Sequence, residues 1–241
     1  MSEPSPAETT TPPSIKSGWV KRLLKIVGVY AWFLGSLFGA AGRLDWIRGW
    51  ISVALWVMSV SAIGLIVKHY NPGLLKERAK WRRKDTKPFD RIFLAIFVPL
   101  LVIQPPVAGL DAVRYRWSSM PFAFVYVGAI LLALAVVMIA WALAVNPYAE
   151  STVRIQTDRG QTVVTSGPYR FVRHPMYAGF VPMYLAMPLV WGSVWALVLS
   201  VVIILLFVCR TAREDQTLRR ELLGYEEYSA RTRYRLLPGV W

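Results

Sequence analysis

Apolar residues dominate four long stretches of this chain, at about 23–42, 48–67, 91–110 and 122–145. Each approaches the roughly 20 residues that a helix needs to cross a hydrocarbon core, so each is expected to span a membrane. The third contains Gln104-Pro105-Pro106. Two successive prolines remove two backbone donors and should kink that helix or end it early. From Met176 to Cys209 the chain carries no charge, a run far longer than one straight span requires. Pro182 and Pro188 interrupt it, and Trp191-Gly192-Ser193 reads as a turn, so two helices forming a tight hairpin are expected there. The pattern predicts an all-α integral membrane protein with about six transmembrane helices, the last two a C-terminal hairpin. Both termini then lie on one side.

Polar residues gather in two segments, 146–175 and 210–241. In the first, "STVRIQ" and "QTVVT" are rich in β-branched residues and flank the turn signal "TDRG". They predict a small β-hairpin on the cytoplasmic membrane face, too small to be a domain by itself. The second begins as a cytoplasmic C-terminal helix ending near Gly224, a natural C-cap, and closes in the basic, aromatic tail "RTRYRLLPGVW". The leader "MSEPSPAETTTPPS" has no basic start of the secretory kind and too few apolar residues to order itself. Three regions follow: a disordered tail at 1–17, a four-helix transmembrane region at 18–145 with a basic loop at 68–91, and a C-terminal core at 146–241.

Charge refines this picture. A net charge of +14 would direct a soluble protein towards nucleic acid. In a chain that is 55% hydrophobic, the collection of Lys and Arg on cytoplasmic loops explains it, and no nucleic-acid partner is expected. With six spans, 24 of the 28 Lys and Arg residues fall on the side of the termini and four on the other, which places both termini in the cytoplasm. The loop 68–91 is then held to anionic membrane lipid at about 1 kcal/mol per nearby cation, and His69 within it needs no ligand role. The spans hold almost no ionisable groups, which argues against a transporter or proton pump. The one cysteine, Cys209, excludes an internal disulfide and a cysteine-based metal cluster. No metal site is expected.

Polar chemistry is thus concentrated at one membrane surface, around "SGPYRFVRHPMYAGF", residues 166–180. Pro175 suits the first position of a helix, and the residue before a proline avoids helical geometry. His174 therefore falls at the N-cap, with Arg173 just outside. The free amides of a helix start attract anions, so Arg173 and His174 are candidates for a carboxylate or phosphate clamp. Tyr177 lies on the face of His174, and Gly167 and Gly179 would permit close approach of a ligand. The alternative leaves Arg173 snorkelling, His174 capping the helix and Tyr177 in the aromatic belt. In the second segment Asp215, Leu218 and Leu222 share one helical face, with Arg210 and Glu214 on the neighbouring one. An acid on an apolar stripe is costly without a partner; either an arginine of the chain or a cationic ligand fills that place.

The succession "GPYRFVRHPMYAG", a helical hairpin, "ED" with a leucine three residues after Asp215, and "GYEEYSARTRYRLLP" resembles the isoprenylcysteine carboxyl methyltransferase family, whose wider relatives include membrane phospholipid methyltransferases. The resemblance covers roughly the C-terminal 100 residues, and "NPGLLKER…DR" at 71–91 is similar to bacterial members. It implies an S-adenosyl-L-methionine-dependent enzyme of a bacterial plasma membrane, with 146–241 as its methyltransferase core and a lipophilic or small-molecule methyl acceptor. The resemblance puts Tyr169, Arg173, His174 and Tyr177 at the cofactor pocket, with Gly167, Pro175 and Gly179 shaping it. Glu214 would meet the ammonium or ribose, Asp215 the sulfonium end, and Arg210 the acceptor. Where the family has paired glutamates, this chain has Glu214 and Asp215. A phospholipid amine or a small thiol is the alternative acceptor, and a non-catalytic membrane scaffold the alternative class. No glycine-rich strand-to-helix turn is found, which argues against the usual soluble methyltransferase fold.

Overall fold

The computed structural model describes residues 15–80 and 85–241. Most of the expected tail, and the centre of the basic loop at 81–84, lie outside the described residues. Eight helices are described: α1 (Ile15–Ala41), α2 (Ile47–Tyr70), α3 (Pro72–Arg78), α4 (Pro88–Gly109), α5 (Phe124–Val145), α6 (Pro175–Trp191), α7 (Val194–Glu221) and α8 (Tyr225–Arg231).

Among the described residues, four helical stretches are long and apolar enough to cross a membrane: Ile47–Tyr70, Pro88–Arg114, Phe124–Val145 and Val194–Glu221. The expectation of six is not supported. Helix α6 has 17 residues, about 25 Å at 1.5 Å per residue, short of the roughly 30 Å core. The apolar part of α1, Ile26–Ala41, is also short. Much of α6 is buried instead, and α5 is its main neighbour. A Cβ at Gly128 would stand 2.6 Å from the Ala186 carbonyl oxygen, and one at Gly179 2.7 Å from Ile139. Small residues let these two backbones touch, as helix pairs in lipid require.

The hairpin between α6 and α7 forms where expected. Gly192 takes φ +79, and Ser193 caps α7 by accepting from the Ala196 amide. Asp111 staples this turn to the end of α4: its carboxylate accepts from the Ser193 hydroxyl at 2.6 Å and the Trp195 amide at 3.1 Å. Helix α4 does not end at its double proline. It continues to Gly109 and then loosens into a π-helical turn, Leu110–Arg114. Beside the prolines, Gln104 donates to the Ser200 hydroxyl at 2.6 Å, which ties α4 to α7.

The expected β-hairpin is absent: no strand occurs among the described residues. Residues 151–156 are non-helical, but side chains replace the partner strand. The Gln156 amide donates to the Gln161 side chain at 2.7 Å, and Gln156 Nε2 donates to the Tyr148 carbonyl at 2.7 Å. Such local side-chain bonds compete with a ladder, and the "TDRG" turn closes as a 3₁₀ turn ending in left-handed Gly160.

Candidate active site

A cleft opens at the end of the bundle where α6 begins and α7 leaves the apolar layer. It is lined by Tyr169, His174, Tyr177, Glu214, Tyr225 and Tyr228, and roofed by the segment from Asn146 to Val164. The N-terminal helices hold that roof. Asn71 donates to the carbonyls of Leu143 and Asn146, Arg78 to that of Ala149 at 2.6 Å, and the Val153 amide to Asp90 at 2.8 Å. Inside it, Arg154 forks onto Glu150 and also reaches Asp158. The bond to Glu150 is the main reason its guanidinium binds its proton more tightly than usual.

Pro175 is the first residue of α6 and His174 its N-cap, but the imidazole makes no capping bond. It lies parallel to the Tyr177 ring, with centroids 5.8 Å apart, and places Nε2 3.4 Å from the Tyr225 hydroxyl. Tyr177 donates to Glu214 at 2.6 Å, joining the start of α6 to the acidic stretch of α7. Tyr169 receives a bond from Asn146 at 2.8 Å and accepts at its carbonyl from the Tyr228 hydroxyl at 2.7 Å. Burial pushes the phenols of Tyr169 and Tyr225 well above their ordinary range, and that of Tyr228 up to about 12. At neutral pH all three are therefore neutral donors.

Arg173 also lines the cleft, and Asp215 lies behind it. The Asp215 carboxylate, 1% exposed, accepts from Arg173 at 2.7 Å, Tyr225 at 3.0 Å, Arg235 at 3.1 Å and Arg219 at 3.2 Å. Of the two partners foreseen for an acid on the apolar stripe, the chain's own arginines take the place. Arg173 neither snorkels nor stands free as an anion clamp: Nη1 donates to the carbonyls of Thr232 and Arg233, both at 2.8 Å. The amides of Arg173 and His174 bond to Tyr234 and Arg235, so the C-terminal tail is sewn onto the start of α6.

Gly167 and Gly179 also differ from expectation. Gly167 adopts φ +57, and a Cβ there would meet Trp141 and Val145 of α5, as one at Gly179 would meet Ile139. Both are points of close packing against α5. Arg210, 6% exposed, pairs with Asp90 at 2.8 Å and donates to the Ser151 carbonyl at 3.1 Å. Its guanidinium lies 4.6 Å from the Phe93 ring and 5.2 Å from Tyr177. On its other side runs an apolar groove between α4 and α7, walled by Phe89, Ile92, Ile96 and Leu206. Arg210 therefore stands between the polar cleft and the groove. Asp90, Asn146, Tyr225 and Tyr228 were not singled out from the sequence. The tyrosines stand in "GYEEYS", which had carried only the resemblance; Asp90 and Asn146 have no local pattern that marks them.

The donor set suits a ligand carrying a cation, a carboxylate and an aromatic base. Glu214 offers an anion, the aromatic rings offer faces for a cation or a base, and the phenols offer neutral donors. Residues 123–222 match the family model described as phospholipid methyltransferase. That match runs from the start of α5 to the end of α7 and contains Tyr169, His174, Tyr177, Arg210, Glu214 and Asp215. It supports a membrane methyltransferase, and the four apolar helices support the membrane setting. No curated protein matches the chain.

Proposed function

We propose that the chain is a membrane-embedded methyltransferase that uses S-adenosyl-L-methionine on a lipophilic acceptor, in the manner of isoprenylcysteine carboxyl methyltransferases. One observation carries the reading: the amino end of α6 and the acidic stretch of α7 share one aromatic-walled cleft, joined by the 2.6 Å bond from Tyr177 to Glu214. When bound, the cofactor supplies an activated methyl group on a sulfonium. The chain's part is to align and to keep water out, since methyl transfer is an in-line displacement.

Glu214 holds the ammonium or ribose, and His174 and Tyr177 present ring faces. Asp215 is a positioning residue that fixes Arg173, Tyr225 and the tail behind the cleft. The cavity as it stands measures ≈ 100 Å³, below the roughly 300 Å³ at which drug-sized ligands are buried. Binding therefore widens it, and the roof at 161–164, which has no helix or strand of its own, is the part that yields. Arg210 presents its charge to an acceptor lying in the apolar groove and orients a carboxylate there. A carboxylate needs no general base, being ionised near neutral pH. At the end remote from the cleft the basic residues of the connections are Arg43, Arg48, Arg114 and Arg116, a small share of the chain's 28 Lys and Arg, which supports a cytoplasmic site.

A second reading rests on the family match itself: a phospholipid amine as acceptor, which must lose a proton first. Calorimetric titration of the purified protein with the cofactor and its demethylated product tests the first claim. Binding in the micromolar range is expected, weakened at least tenfold in Glu214→Gln and His174→Ala. No binding in detergent or in nanodiscs would end the proposal. Membranes incubated with methyl-labelled cofactor then separate the acceptors: base-labile label indicates an ester, base-stable label in phospholipid an amine, and absence of label a scaffold.

A further inference from the structure

At the end of the bundle remote from the cleft, the connections α1–α2, α4–α5 and α6–α7 converge on a second cavity of ≈ 470 Å³. Arg43, Arg48 and Arg116 line it against one carboxylate, Asp45. Asp45 is already forked by Arg43, so Arg48 and Arg116 have no carboxylate partner among the described residues. Asp111 nearby is buried, and its Oδ2 accepts from the hydroxyls of Ser118 and Ser193 and the Trp195 amide.

The site is built rather than incidental. Arg48 is fixed by a 2.6 Å bond to the Met120 carbonyl and lies 5.4 Å from the Phe122 ring. Its guanidinium passes over Gly192, where a Cβ would collide with it. Arg116 has φ +51, the one non-glycine residue among those described with a positive φ, a conformation that costs energy in a long side chain. Trp191 also lines the cavity; it is 2% exposed, and its Nε1–H has no partner among the described residues. Two guanidinium groups without a carboxylate partner form a set suited to a tetrahedral oxyanion.

We propose that this cavity binds a phosphate group. Exposed Trp50, Tyr115, Trp117 and Trp195 at the same end form the belt expected at headgroup level, so an anionic phospholipid headgroup is the source, with free phosphate the alternative. The site is separate from the methyltransferase cleft, and its test does not depend on methyl transfer.

The experiment measures thermal midpoints and native mass spectra of the full chain in detergent with short-chain phosphatidylglycerol, phosphatidylcholine or inorganic phosphate. Phosphatidylglycerol should raise the midpoint of the wild-type protein and remain bound, with phosphatidylcholine inert. The double variant Arg48→Gln/Arg116→Gln should bind at least tenfold more weakly. Because Arg48 also braces a loop, Arg116→Gly is the cleaner control. It relieves the positive φ, so its unliganded midpoint should not fall while its response to phosphatidylglycerol shrinks. A response to inorganic phosphate equal to that with the lipid assigns the site to the free anion. No response to either anion in the wild-type protein, or an undiminished response in both arginine variants, overturns the proposal.

Discussion

Asp215 is the residue on which most of the site's rigidity converges. Three guanidinium groups and a phenol meet on one carboxylate that is almost fully enclosed. Removing one partner of a buried ion pair costs about 3–5 kcal/mol, because it strands the other charge. Asp215→Asn keeps the shape and strands Arg173, itself 3% exposed at the side chain. A fall of that size in unfolding free energy is expected in denaturant titrations, whereas Arg219→Gln, whose side chain is 42% exposed, should cost under about 1 kcal/mol. Tyr228 adds a pH dependence of known sign. Burial pushes its phenol up to about 12 in the folded chain, against about 10 for an unburied tyrosine. Between those values the unfolded chain has given up the proton and the folded chain has not, so the contribution is whole below pH 10 and lost by pH 12. Stability should fall across that window, and less steeply in Tyr228→Phe; equal slopes would show that the phenol is not held as described.

At the scale of elements, the hydrophobic pattern was legible where length and punctuation agreed. The run from Met176 to Cys209 was too long for one helix, and Gly192 marked the turn that the structure places there. The pattern failed where tertiary contact overrides it. Composition could not show that α6 is short and packed on α5, and β-branching at 151–156 promised a ladder that glutamine side chains displaced. The site divides in the same way. His174, Tyr177 and Glu214 belonged to visible motifs, whereas Asp90 meets Arg210 across 120 positions of sequence, a pairing that no local spacing predicts. The α5–α6 contact offers a graded test. An alanine at Gly128 would press on the Ala186 carbonyl, which is backbone and cannot step aside; at Gly179 the nearest atom is the side-chain Cγ1 of Ile139, with the backbone no nearer than 3.3 Å. Gly128→Ala should therefore lower the thermal midpoint more than Gly179→Ala. Overpacking typically costs about 1–3 kcal/mol, and Gly128→Ala belongs at the upper end. The reverse order would mean that the helices can slide apart.

For the whole molecule, the separation of charge makes a prediction about sidedness. One end carries the cleft, the roof and the C-terminal tail with most of the basic residues; the other carries Arg43, Arg48, Arg114 and Arg116. A charge bias of this kind favours retention of the basic end in the cytoplasm, so the expected outcome is a cleft that opens to the cytosol. The single cysteine makes the test simple: Cys209 is exposed on α7 beside the apolar groove and can be replaced to give a cysteine-free background. Leu44, 69% exposed in the α1–α2 connection, and Glu227, exposed on α8, then serve as reporters for the two ends. In intact cells an impermeant maleimide should label Leu44→Cys and leave Glu227→Cys unlabelled until the membrane is opened. The opposite pattern would put the cleft on the far side from any cytosolic cofactor and remove the physical basis for a methyltransferase at this surface.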